Sequence, residues 1–108
     1  MRILFDNGTP RGVASALGGH VVEEARLRGW DTLGNGELLD AAEAAGFDVF
    51  LTTDRNIRYQ QNLTDRRIAI VVLSKGRWTL IRGRLPEIVG AVSAATPGSI
   101  TQVDIPLD

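Results

Sequence analysis

Ile68-Ala69-Ile70-Val71-Val72-Leu73 is a run of six apolar residues with no polar alternation, and Val49-Phe50-Leu51 ahead of Thr52 is a shorter one of the same kind. A strand with one face in water alternates apolar and polar side chains, whereas a strand buried on both faces reads as a continuous β-branched or large apolar run. Two such runs predict central strands of a parallel sheet covered by helices. Outward from them, Arg2 to Phe5 reads as a first strand ended by Asp6-Asn7-Gly8, and His20 to Val22 as a second. Ile100 to Ile105 reads as an edge strand behind Gly98. Thr9 is expected to cap a helix that has Pro10 in its first position and ends near Leu17. Asn35 is expected to cap a second helix, from about Gly36 to Ala45, closed by Gly46. A last helix spans roughly Thr79 to Ala94, bent or divided at Pro86. The order of elements predicts a single α/β domain, a three-layer α/β/α sandwich with a mainly parallel central sheet.

The chain has 108 residues, 44% hydrophobic and 23% charged, ordinary values for a folded domain. It contains no cysteine, so a metal ligand or nucleophile must come from oxygen groups or from the single histidine, His20, which is expected to be structural. No stretch approaches a membrane span, and the apolar run that opens the chain meets a charge at Asp6, too early for a secretory leader, so a cytoplasmic protein with no membrane contact is expected. The net charge of −1 gives no global attraction for nucleic acid, so any such contact requires a local patch.

In open parallel sheets, ligands bind beyond the carboxyl ends of the strands. Asp6 follows the first strand, Asp54 lies two residues beyond the third, and Glu37 falls in the first turn of the helix expected to start on the same rim. Three carboxylates on one rim form a candidate catalytic and metal site. Oxygen ligands suit Mg²⁺ or Mn²⁺. Asp40 faces solvent on a helical wheel and is held as an outer residue, while Glu43 lies too deep. Each acid also has a purely structural reading: a turn for Asp6, a helix cap for Asp54, and a favourable interaction with the helix dipole for Glu37. Arg55, Asn56, Arg58, Gln60 and Asn62 crowd the segment after the third strand, and with Asn7 and Asn35 they make up the expected substrate-binding set. Trp30 and Trp78 are expected to pack before they stack on a base.

Phe5-Asp6-Asn7-Gly8-Thr9-Pro10, Asn35-Gly36-Glu37-Leu38-Leu39 and Leu51-Thr52-Thr53-Asp54-Arg55-Asn56, in that order, resemble the signature segments of small PIN-like proteins. The likeness covers residues 1 to about 75. It implies a parallel α/β/α sheet and Mg²⁺- or Mn²⁺-dependent RNA hydrolysis at Asp6, Glu37 and Asp54. It also implies a place as the toxin of a toxin-antitoxin pair, with RNA and a cognate antitoxin protein as partners; a homodimer is a further expectation. Two departures stand out: Asn35 and Asn56 occupy positions where many relatives carry an acid. A PIN-derived module that binds RNA or a protein without cutting is therefore the alternative. A phosphatase with Asp6 as nucleophile would need an acid at Gly8 and is set aside.

Overall fold

A computed structural model of the chain describes residues 1–57 and 65–107. Its strands are β1 (Arg2–Phe5), β2 (Val21–Glu24), β3 (Val49–Thr52), β4 (Ala69–Leu73) and β5 (Ile100–Val103). They form one five-stranded sheet in the order β2-β1-β3-β4-β5, with every neighbouring pair parallel. Every residue of β3 and β4 is buried, as two-sided coverage of the central strands requires. The edge strands β2 and β5 are only partly covered.

Alternate residues of the central strands feed two separate apolar clusters. Ile3, Phe5, Val49, Leu51, Val71 and Leu73 pack with Val13, Leu17, Ile81, Ile88 and Val92. Leu4, Phe50, Ile70 and Val72 pack with Leu38, Leu39, Ala42, Phe47 and Ile57. Because side chains along a strand alternate between the faces of a sheet, both faces carry a core, which is compatible with a three-layer sandwich. Three α-helices are present among the described residues: α1 (Asn35–Ala44), α2 (Trp78–Ile81) and α3 (Leu85–Ala94). None of the described helices is long and apolar enough to cross a membrane.

Several local expectations need correction. The segment after Pro10 is a 3-10 helix, Arg11–Ala16, and its N-cap is Pro10 itself. Thr9 does not cap it, because the Thr9 side chain is buried and its hydroxyl is used by Asp6. A second short 3-10 helix, Ala25–Arg28, follows β2. The N-cap of α1 is Gly34 rather than Asn35, which is the first helical residue. The carboxyl end of α1 does follow the sequence. Gly46 adopts a positive φ of 84°, its N–H donates to Glu43 O at 3.1 Å, and Phe47 N–H donates to Ala42 O at 3.0 Å. That pattern is the Schellman stop, with Phe47 buried in the same cluster as Ala42. The last helix is divided ahead of Pro86, by the 3-10 turn Arg82–Arg84, so that Pro86 sits in the first turn of α3 where its missing N–H costs nothing.

Candidate functional site

The strand order places β1 between β2 and β3, so the chain leaves β1 toward one side of the sheet and returns on the other. The 3-10 helix that follows β1 contributes Val13 to one apolar cluster, and the segment that follows β3 contributes Ile57 to the other. Loops that diverge from adjacent parallel strands leave a crevice at their carboxyl ends, and such a switch point is where open α/β sheets bind ligands. Asp6 and Asp54 stand on its two sides.

Thr52, the last residue of β3 and fully buried, joins them. Its hydroxyl donates to Asp6 Oδ2 and accepts the Asp54 backbone N–H at 3.0 Å. The other Asp6 oxygen, Oδ1, accepts the Gly8 N–H at 3.2 Å and lies 2.6 Å from the Thr9 hydroxyl, which is also 3.0 Å from Leu51 O. Asp54 Oδ1 accepts the Asn56 N–H at 3.0 Å, and Asp54 Oδ2 accepts the Asn35 side-chain amide at 2.8 Å. One hydrogen-bonded chain thus runs from Thr9 through Asp6, Thr52 and Asp54 to Asn35. Its donors are all neutral. Among the described residues neither aspartate takes part in an ion pair, so both charges stay uncancelled.

Glu37 is separate from this chain. It is exposed, and its carboxylate reaches back 3.4 Å to the Gly34 N–H, the Glu half of a capping box whose other half a glycine cannot supply. Among the described residues, no three acidic, histidine or cysteine side chains are grouped closely enough to hold a metal ion. The expected trio is thus reduced to a pair with an amide, Asn35, beside it. Both carboxylates keep unused acceptor capacity. Of the roughly four lone-pair sites a carboxylate offers, protein donors occupy three on Asp6 and two on Asp54.

The structural readings of the acids hold as well, since each accepts a local backbone N–H. The cross-strand link through Thr52 goes beyond them. Asn7 turns its amide to Asp31 O at 3.3 Å, and Arg55 and Asn56 are exposed on the rim. Arg58, Gln60 and Asn62 lie outside the described residues. Asp40 is exposed, as the helical wheel expects, but it is paired with Arg66 at 2.9 Å, and Arg66 also approaches Glu43 at 3.5 Å. Arg66 is therefore a half-buried anchor of α1 rather than solvated surface. Thr9 and Thr52 are the site residues that sequence reasoning missed. The available signal was a hydroxyl closing an otherwise apolar buried strand.

Two pockets among the described residues, of about 390 and 420 Å³, lie elsewhere. One borders Arg11, Glu24 and Arg28 beside β2, and the other borders Asp48 and Arg67 at the amino ends of the strands. No family model, no curated protein and no solved structure matches this chain.

Proposed function

We propose that the protein is a cytoplasmic PIN-like α/β/α domain that acts as a Mg²⁺- or Mn²⁺-dependent ribonuclease, with Asp6 and Asp54 as its metal ligands. The observation that supports this reading is the pair of uncancelled aspartates joined across β1 and β3 by Thr52. Magnesium keeps several waters and commonly takes only one or two carboxylates from protein, so a pair is an adequate set. When bound, such an ion makes a coordinated water more acidic and offsets charge at a phosphodiester. The chain's own residues hold and aim the two carboxylates: Thr52 fixes Asp6 against Asp54, and Asn35 orients the outer oxygen of Asp54. Arg55, next along the chain and exposed, is in place to meet a phosphate.

The test is cleavage of single-stranded and structured RNA in Mn²⁺, Mg²⁺ or chelator by the wild-type protein and by Asp6→Ala and Asp54→Ala. Metal-dependent cleavage that both substitutions remove is the expected result. Cleavage that survives both substitutions would mean a contaminant or a different site.

A second reading has its own support. Glu37 is drawn away to cap α1, and amides stand at Asn35 and Asn56, which favours a PIN-derived module that binds RNA or a protein without cutting it. Tight binding with no cleavage in any metal would select it. An antitoxin partner belongs to the first reading, and a small adjacent reading frame whose product binds this chain would support it.

A further inference from the structure

The cations of this chain fall into two groups. Arg2 and Arg28 are held by Glu23, Arg11 and Arg26 by Glu24, Arg66 by Asp40 and Glu43, and Arg84 by Glu87. Among the described residues, Arg55, Arg67, Lys75, Arg77 and Arg82 form no ion pair. Arg67 precedes β4 at the far end of the sheet, and Arg82 lies beyond α2. The other three occupy the loops that follow β3 and β4, at the same carboxyl ends as Asp54. In a chain of net charge −1, these loops form a local cationic strip.

The same loop ends in an exposed indole. Trp78 is 37% exposed, and its six-membered ring lies on the backbone of Gly12, where a Cβ would meet Cη2, Cζ2 and Cζ3 at 2.5 to 2.7 Å. Trp30 is differently placed. It packs edge-on against Phe47 with centroids 6.3 Å apart and carries the Arg28 guanidinium 5.0 Å from its own ring. Glycines connect the indole to the aspartates without a gap. A Cβ on Gly76 would stand 3.7 Å from the Thr53 side chain, and one on Gly8 would stand 2.6 Å from Thr53 Oγ1 and 3.8 Å from Asp6 Oδ1. Residues 8 and 76 therefore let the β1 and β4 loops close on Thr53, and residue 12 lets Trp78 close on the segment after β1, leaving one surface from Asp6 to Trp78.

We infer that this surface is a single-stranded RNA track, in which Trp78 stacks one base while Lys75, Arg77 and Arg55 follow the backbone phosphates toward Asp6 and Asp54. The assignment rests on the proposed action on RNA and names the strand class and the residues that bind it. An indole beside unpaired cations is the combination that holds single strands without reading their sequence. A duplex has its bases stacked internally and offers Trp78 nothing to stack on.

The experiment is a binding titration with an end-labelled single-stranded oligoribonucleotide, about ten nucleotides long, in chelator so that nothing is cut. Trp78→Ala is expected to weaken binding by about tenfold or more, the effect of losing one stacked base, and Trp78→Phe to keep most of the affinity. Lys75→Gln/Arg77→Gln, two exposed or half-exposed changes that leave the core untouched, should make the dependence of log K on log salt shallower by about 1.4. Arg26→Gln, on the paired flank, is the control and should change neither. Wild-type affinity in Trp78→Ala together with a wild-type salt slope in the double variant would overturn the track. So would preference for a duplex competitor, or failure of the wild-type protein to bind RNA while binding a protein partner. Cleavage in Mn²⁺ is read separately. Cleavage that persists with unaltered binding in these variants sinks the track and spares the nuclease, whereas Trp78-dependent binding without cleavage does the reverse.

Discussion

The flank beside β2 and the rim beyond β1 and β3 use similar acids in opposite ways. On the flank, Glu23 accepts two bonds from Arg28, at 2.8 and 3.3 Å, and one from Arg2 at 3.3 Å. The two guanidiniums lie in turn within 5.0 Å of the rings of Phe47 and Trp30. The hydrogen bond from Arg28 holds the Glu23 carboxyl below its usual range; burial opposes it less strongly, and the Arg2 hydrogen bond and then the charges of Arg28 and Arg2 add to the lowering. The charges there offset one another. On the rim, Asp6 and Asp54 are fixed as firmly, but by hydroxyls, an amide and backbone N–H groups. Hydrogen bonds from neutral donors orient a carboxylate without cancelling its charge. In the proposed reading, carboxylates held in that way, near loops whose cations form no ion pair among the described residues, serve a metal ion and an RNA phosphate.

Thr52→Val breaks the contrast most severely. Valine fills the same buried space but removes the hydroxyl that serves both aspartates, leaving an Asp6 oxygen and the Asp54 N–H without their partner. The expected loss is roughly 1–3 kcal/mol of stability by denaturant midpoint, together with loss of metal affinity. A fully active and equally stable variant would mean that the bridge is incidental.

Glu23→Gln probes the other side and should act on stability alone, with metal binding unchanged. The sign follows from the lowered carboxyl: a group whose folded-state pKa is depressed stabilises the fold above its unfolded value and ceases to do so as pH falls through the folded one. The stability gap between wild type and variant should therefore be full at neutral pH and close as pH drops below 4.5. Thermal melts across that range measure it, and a gap that widens toward acid pH would contradict the assignment. Glu37→Ala should have the smallest effect. Loss of the contact to the Gly34 N–H and of a favourable charge in the first turn costs about 0.5–1 kcal/mol, with no change in metal affinity. A large fall in affinity would return Glu37 to the site.

Much of this is legible in the sequence, for identifiable reasons. The strands β3 and β4 are read from uninterrupted apolar runs, and Asp6 and Asp54 from their place just beyond strand ends. The start of α1 is harder to read, because Gly34 and Asn35 are both acceptable caps. Gly34, extended at φ −70° and ψ 167°, takes that place, and Asn35 becomes the first helical residue. A shift of one residue turns a helix by about 100°. Here the Asn35 amide bonds Asp54, and Glu37 serves the helix. The length of the helix between Pro10 and Leu17 is also read correctly, but its 3-10 winding is not, since apolar spacing over so few residues does not separate the two. The role of Thr52 depends on register between β1 and β3, with Phe5 opposite Leu51, which no local pattern carries.

The most direct measurement is a Mn²⁺ titration, by calorimetry or by the electron paramagnetic resonance signal of the free ion, of wild-type protein, Asp6→Asn, Asp54→Asn and Glu23→Gln. The account predicts one saturable ion on wild type and on Glu23→Gln, and its loss in either aspartate variant while both remain folded. Wild-type protein that takes up no Mn²⁺, or an ion retained by both Asp6→Asn and Asp54→Asn, would contradict it.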